Sequence, residues 1–439
     1  MRREVLLLQG PIGPFFTRFA DDLEARGFSV IKVNFNGGDR FFYRRPGGID
    51  YGGSLEGWEA WLERLLINRG IGRLYLFGDC RSHHRIAGAL ARRLGVRVFV
   101  FEEGYIRPNF ITLEENGVNG HSSMMTNPVS LTPRDAPLEA EIPHPGRVFP
   151  VTAVYAMLYY WACAAGRADF PLYRHHRPLG WLAEGGRWVR SGWRKWRYAR
   201  RERKVPSVLE TEFVGNYFVC PLQVHCDMQV VVHSGFNSIE HFIGEVLASF
   251  REHAPANKAI VFKHHPLDRG YTDYTTLFGN LVAELGLEGR VFYVHDLCLP
   301  TLLGRAQGTV LINSTVGVSS LYHGTPVKTL GDAVYDLPGL TFQGSLDEFW
   351  HHEERVDEER FGAFRDNLVA RNQLNGNFYR RLRGTKRGTG ILWPAGLERE
   401  HSWESGRVER GGERRFQVIE GGARSKRADK RTGDDAKAA

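Results

Sequence analysis

Cysteine is scarce in this chain, with five residues among 439. Cys80, Cys163, Cys220, Cys226 and Cys298 form no CxxC pair, and their odd number and irregular spacing argue against a disulfide framework and a clustered zinc motif. A reducing, cytoplasmic setting is expected. Long apolar runs are also missing. No segment reaches the roughly 18–20 uninterrupted apolar residues of a spanning helix, so the protein is expected to be soluble or peripheral. The opening run Val5 to Leu8 is too short for a signal-peptide core and reads as a first strand. Neither a dinucleotide fingerprint nor a Walker loop occurs, and no solenoid-length repeat is present.

The length allows two domains with substantial cores. The formal charge of +8 favours anionic partners. Much of that charge sits in 185–204 and beyond Arg399, so the balance alone does not point to nucleic acid, and none is expected as a partner.

Strand-like and helix-like stretches alternate through the first third. Strands are expected at Glu4–Gln9, Phe28–Asn34, Leu74–Phe77 and Val96–Phe101, with helices near Phe15–Arg26, Leu55–Asn68 and His83–Leu94. The pattern returns with strands at Tyr217–Pro221, Ala259–Lys263, Val291–Tyr293, Val310–Ile312 and Val327–Leu330. Helices are expected there near Ser238–His253, Thr275–Leu285, Leu299–Ala306 and Val316–His323. Two βαβ series predict an α/β protein with two Rossmann-like domains facing across a cleft, an arrangement that resembles the GT-B type. The divisions expected are an acceptor-side domain at 1–148, a helical basic and aromatic insertion at 149–205 and a nucleotide-sugar domain at 206–345. A helical segment at 346–397 and a disordered basic tail at 398–439 complete the chain.

Within the insertion, Trp188, Trp193, Trp196 and Tyr198 interleave with many arginines. Arg187, Arg190, Arg194, Arg197 and Arg201 are spaced three or four apart, which predicts one basic helix face. Such a helix suits the surface of an anionic membrane. It is equally consistent with a solvated helix packing its tryptophans on the protein itself.

Chemistry-bearing residues gather at the predicted strand ends, the edge where open α/β sheets bind ligands. Gln9, Gly10 and Gly13 form the first strand-to-helix turn, where glycines allow close backbone approach. Asn36 follows the second strand. Asp79 and Arg81 follow the third, with Asp79 a candidate cap for the next helix and Arg81, His83 and His84 candidate anion contacts. Glu102 and Glu103 end the fourth strand and must point to opposite faces, so one can face the cleft as a general base. In the second domain, Gln223 and Asp227 follow one strand, and Asp227 is placed to act as a nucleophile. Lys263, His264 and His265 end another, where a histidine can stabilise a departing phosphate. Adjacent histidines share no face, so a two-histidine metal site is not expected. Asn313, Ser314 and Thr315 open a helix and suit phosphate binding or a plain N-cap.

As an ordered set, QGPIGPFF, NFNGGDRFFY, LFGDCRSHH, FEEGYIRP, PLQVHCDMQ, FKHHP and INSTVG resemble the capsule polysaccharide biosynthesis and export family of the KpsS/LipB type. The resemblance runs from about residue 5 to 345. The acidic pair, HP and Ser-Thr signatures also look like those of bacterial sialyltransferases. The resemblance implies a retaining β-Kdo transferase that needs no metal or cofactor and takes CMP-Kdo as donor. It would add Kdo to a (lyso)phosphatidylglycerol acceptor at the inner face of the cytoplasmic membrane, within a capsule biosynthesis and export complex. It also implies that Glu103 is the acid/base, His265 the CMP-phosphate ligand, and Ser314 and Thr315 the nucleotide contacts. Rival readings are a transferase for another CMP-activated acidic sugar and a non-enzymatic assembly or export factor.

Overall fold

The computed structural model describes residues 3–134, 146–174, 181–382 and 388–393, with backbone alone for 181–184. The tail expected at 398–439 lies outside the described residues. In chain order the strands are β1 (Glu4–Leu7), β2 (Ser29–Asn34), β3 (Gly48–Asp50), β4 (Ile71–Phe77), β5 (Arg97–Glu103), β6 (Phe110–Glu115), β7 (Tyr217–Pro221), β8 (Ala259–Lys263), β9 (Val291–Val294), β10 (Gly308–Leu311), β11 (Val327–Thr329) and β12 (Gln373–Asn375).

They form two sheets, ordered β12-β6-β5-β4-β1-β2-β3 and β11-β10-β7-β8-β9. The second sheet is wholly parallel. The first is parallel from β5 to β3, while β6 and β12 run antiparallel at one edge. Each central strand is apolar on both faces, as helix-covered parallel strands must be. On β1, Leu6 joins a core with Trp58, Leu62 and Leu74. Its neighbours Val5 and Leu7 join the opposite core with Phe15, Phe19 and Phe101. In the second domain, Ser238 caps the helix Ile239–His253, which buries Ile239, Phe242, Ile243, Val246, Leu247 and Phe250 on one stripe. The two Rossmann-like, GT-B-like domains are therefore present.

Three features depart from the pattern read in the sequence. First, the glycine-rich NGGD stretch opens a helix, Gly37–Phe42, capped by Asn36. A Cβ on Gly37 would lie 2.1 Å from the carbonyl oxygen of Ala162, and one on Gly38 would lie 2.5 Å from the Tyr159 ring. These glycines exist to admit the insertion helix Phe149–Ala165. Second, β6 and the edge strand β12 lack the alternation of a half-exposed strand, because both are buried along most of their length. Third, the segment after residue 345 is not a separate helical end. Helix Glu358–Asn372 leads into β12, which returns the chain to the first sheet. Tyr105, Met124 and Val129 of the first domain pack with Leu311, Leu321, Tyr335 and Phe364 in one apolar cluster that joins the lobes.

The insertion also bridges them. Helix Phe149–Ala165 lies on the first domain, while Trp181–Arg201 lies on the second. Arg194 donates to the carbonyls of Arg269 (2.8 Å) and Thr272 (2.9 Å). Tyr198 stacks on His295 at 3.5 Å between ring centroids and donates to Asp273. The five regularly spaced arginines therefore do not form one free face, since Arg187 and Arg194 turn toward the protein. The tryptophans do not pack inward either: Trp188, Trp193 and Trp196 are each about half exposed. No described helix is long and apolar enough to cross a membrane.

Candidate active site

Strand alternation splits the acidic pair. Glu103 continues the Phe99–Phe101 face, and its Oε1 lies 3.5 Å from the Tyr379 hydroxyl. Glu102 continues the Val98–Val100 face. There one oxygen accepts the backbone N–H of Glu103 (2.9 Å), and the other lies 3.6 Å from where a Cβ on Gly78 would sit. Burial raises the Glu102 carboxyl to about 7, with the Glu103 charge adding to the rise and Arg81 and Arg107 opposing it. Gly104 makes the turn possible, because a Cβ there would sit 2.1 Å from the Phe110 carbonyl oxygen.

The histidine pair splits in the same way. His264 is buried and shares a hydrogen bond with the Tyr293 hydroxyl (2.8 Å). It is core, not a ligand contact. His265 is half-buried, and its Nδ1 accepts the backbone N–H of Leu267 at 3.2 Å. That bond leaves the proton on Nε2, so a neutral His265 is a hydrogen-bond donor. Burial lowers its pKa to about 4, aided by Arg107 and opposed by Asp268 and Asp227. Lys263 is buried and donates to the His295 carbonyl (3.3 Å), so it too is structural.

Asp227 has both oxygens engaged. Oδ1 accepts the N–H of Gln229 (3.0 Å), capping the helix Met228–Val232, and Oδ2 accepts Gln223 Nε2 (3.1 Å). Gln223 also donates to Asn313 Oδ1 (3.1 Å), whose amide donates to the carbonyls of Gln229 and His233. Gln223 and Asn313 therefore hold the Asp227 segment in place. Ser314 Oγ accepts the N–H of Val316 (3.3 Å). Thr315 is the N-cap of the seven-residue helix Val316–Tyr322 but makes no side-chain capping bond.

The two lobes meet at these strand ends. The Arg107 guanidinium lies near enough to lower both the Glu102 carboxyl and the His265 imidazole. Burial raises the Cys80 thiol to about 12, as do Asp79, Glu102 and, from the other lobe, Asp227. Cys80 Sγ stands 4.0 Å from His233 Nε2 across the gap. Glu102, Arg107, Asp227 and His265 thus influence one another's neighbourhoods across the strand ends of the two lobes.

The residues nearer the first turn behave differently. Gln9 Nε2 lies within reach of Asp39 (3.1 Å), Tyr159 (3.2 Å) and Tyr173 (3.1 Å), and its Oε1 accepts from Arg81 (2.8 Å). Asn36 caps its helix and donates to Tyr159 (2.8 Å). Gly10 faces the Phe16 ring and Gly13, at φ +115°, faces the Tyr155 ring. The turn is shaped by packing. Asp79 does not cap the following helix Ser82–Arg93. It accepts instead from the Val118 N–H (3.2 Å) and the His121 ring (3.1 Å). His84 is buried against the Gly78 carbonyl (2.7 Å), and His83 sits in an aromatic cluster with Phe35 and Trp58, so neither serves as an anion contact.

Sequence reasoning missed Arg107, although it lies within the quoted FEEGYIRP motif. It also missed a dyad. The exposed His225 ring bonds the buried Asp268 at 2.5 Å, and Asp268 also accepts from the Thr272 hydroxyl (2.5 Å). Only the fold brings those residues together.

A family model described as "Capsule polysaccharide biosynthesis protein" matches residues 73–379. The chain belongs to the capsule polysaccharide biosynthesis family. It is 41% identical over 380 residues to the capsule polysaccharide export protein KpsS of Escherichia coli, covering 86% of this chain and 97% of that protein. It is 39% identical over 383 residues to the capsule polysaccharide modification protein LipB of Neisseria meningitidis serogroup A, covering 85% and 91%. Among solved structures it is similar to Thermosulfurimonas dismutans KpsC, a beta Kdo 2,7 transferase. The identity there is 16%, the coverage 85% of this chain and 92% of that one, and the TM-score 0.43. For this family member, the ordered set of sequence motifs identified the group correctly.

Proposed function

We propose that the chain is a metal-independent, retaining glycosyltransferase that moves Kdo from CMP-Kdo onto a (lyso)phosphatidylglycerol acceptor, starting the capsular polysaccharide linker. The observation that carries the enzymatic reading is that the strand ends of two Rossmann-like lobes approach each other, with Cys80 Sγ 4.0 Å from His233 Nε2, and bring Glu102, Arg107, Asp227 and His265 within electrostatic reach across the gap. The choice of Kdo and of the acceptor rests on the family. In the first step the Asp227 carboxylate forms a bond to the anomeric carbon as the bond from that carbon to the CMP phosphate oxygen breaks. The leaving phosphate takes hydrogen bonds from His265 Nε2–H and the Thr315 hydroxyl, with Arg107 supplying positive charge. In the second step the acceptor hydroxyl loses its proton to a carboxylate and displaces Asp227. Glu102 is better suited to that role than Glu103, because its carboxyl titrates near neutrality.

A lipid acceptor calls for membrane contact. Trp188, Val189, Trp193 and Trp196 on one insertion helix, and Phe149, Val154, Met157 and Trp161 on the other, are exposed. Phe149 and Trp188 join the two sets, with ring centroids 6.2 Å apart. Arg197 and Arg200 lie over Trp193 and Trp196. An apolar patch flanked by cations suits an anionic bilayer surface. Neutralising Arg190, Arg197, Arg200 and Arg201 together should abolish binding to phosphatidylglycerol vesicles while sparing CMP binding; retained vesicle binding would remove the membrane part of the proposal.

The deciding assay is mass spectrometry of the lipid acceptor after incubation with CMP-Kdo and, in parallel, CMP-sialic acid. A gain of one Kdo residue from the first donor alone is the expected result. Transfer from the second donor would reassign the sugar. No transfer from either would favour an assembly or export role.

A further inference from the structure

A cluster outside the proposed reaction joins the two lobes through three unlike segments. Cys80 follows β4, His121 ends the single turn Asn119–His121, and His233 closes the short helix Met228–Val232 of the other lobe. One donor atom from each lies within 4.8 Å of the other two. Tetrahedral zinc, with metal–sulfur and metal–nitrogen bonds of about 2.3 and 2.0 Å, needs donors roughly 3.4–3.6 Å apart. Cys80 Sγ and His233 Nε2, at 4.0 Å, are within a small adjustment of that spacing.

The two imidazoles are held from behind, and the Cys80 thiol donates to Asp79 Oδ1 (3.3 Å). Asp79 accepts the His121 Nδ1–H (3.1 Å), which leaves the Nε2 lone pair for a ligand. This is the carboxylate–histidine arrangement that orients metal-binding imidazoles. Asp79 is fixed in turn by the Val118 N–H (3.2 Å). The His233 carbonyl accepts the Asp332 N–H (2.9 Å) and the Asn313 amide (3.2 Å), which sets its backbone. Its ring lies so close to Gly120 that a Cβ there would be 2.2 Å from Nδ1. A thiolate with two imidazoles is a donor set for zinc and its neighbours and a poor one for magnesium or calcium.

We propose that Cys80, His121 and His233 bind one divalent transition metal of the zinc class and that the ion clasps the two lobes together. On binding, the Cys80 S–H bond breaks, its proton passes to solvent, and the sulfur lone pair forms the bond to the metal. Two ligands come from the first lobe and one from the second, so the ion fixes their separation within electrostatic reach of Glu102 and Asp227. This site is separate from phosphate departure and does not depend on the identity of the sugar.

The test is titration of the full chain, freed of metal by chelator, with Co2+ as the optical probe. A thiolate-to-cobalt charge-transfer band saturating at one equivalent is expected. Cys80→Ser should abolish the band, whereas Cys226→Ser and Cys298→Ser, at exposed cysteines, should keep it. His121→Asn, at an exposed position that leaves the core intact, should weaken affinity at least 10-fold, and Asp79→Asn should weaken it 10–100-fold. Zn2+ should raise the Tm of the wild type and not that of folded His121→Asn. A band that survives Cys80→Ser, or Co2+ affinity unchanged by His121→Asn, would overturn the proposal, as would absence of any band in the wild type.

Discussion

The acidic pair at the end of β5 and the histidine pair at the end of β8 are built alike and end differently. In each, two identical side chains stand side by side, and the pleat sends them to opposite faces. At β8 the split is clean: His264 is sealed in the core on Tyr293, while His265 keeps a donor available. At β5 both carboxylates stay at the strand end. Glu103 meets Tyr379, and Glu102 lies beside Gly78, where the charges of Arg81 and Arg107 partly offset its burial. Burial also acts on the two motifs in opposite senses. It raises the acid to about 7 and lowers His265 to about 4. Near pH 7 the histidine is a neutral donor and the glutamate is poised between its two forms. Fixed positive charge for an anionic donor must then come from the arginines, Arg107 above all.

The comparison is broken most sharply at Glu102. Glu102→Gln keeps the shape and removes the proton acceptor, so kcat should fall by about 10²–10⁴, the range of a general acid–base contribution. Glu103→Gln should cost much less. Equal losses, or a larger loss at Glu103, would return the acid/base role to Glu103, as the family resemblance first implied. The same pair predicts the pH profile: turnover should rise as pH increases through about 7, because Glu102 must be ionised to accept a proton. In Glu102→Gln that rise should vanish.

The histidines provide the next contrast. His264→Ala opens a cavity beneath Tyr293 and strands its hydroxyl, which should cost about 2–4 kcal/mol of stability with a correspondingly lower Tm. His265→Ala touches little of the core. It should leave Tm nearly unchanged while weakening CMP-sugar turnover by about 10²-fold, the scale of one lost transition-state donor. If Tm fell in the second variant and not in the first, the division between core and site would be wrong.

Much of this arrangement could be read from the residues. The two βαβ series gave the lobes, and strand-end position brought out Glu102, Glu103, Asp227 and His265, together with Asp79, Arg81, Lys263 and His264, without separating site from core. Periodicity showed that each pair must split but not which member faces the gap, because that depends on what covers each face. No helix was expected at NGGD, since two glycines weaken any helix signal, and the helix that explains them lies more than a hundred residues away. His121 and His233 gave no warning, each a lone histidine in an ordinary turn, until the fold placed them beside Cys80. β12 was hidden for a similar reason: three buried residues after a helix carry no period, and their partner strand β6 is distant in sequence.

The smallest expected effect sharpens the comparison through stability. The Glu102 carboxyl titrates near 7 in the fold against about 4.5 unfolded. The unfolded chain therefore loses this proton first, and the stabilising contribution, full below pH 4.5, is lost as pH rises through 7. The depressed histidines act in the opposite sense. His265 titrates near 4 and His264 near 3 against 6.5 unfolded, so folding is favoured above pH 6.5 and penalised as pH falls toward 4. Stability should thus peak between these limits. Glu102→Gln removes one side of the peak and should gain about 1–3 kcal/mol on the wild type between pH 5 and 8, readable as a change in urea midpoint at constant slope. If the two proteins kept a constant difference across that range, Glu102 would not be the group that burial holds protonated, and the symmetry between the two strand ends would fail at its acidic half.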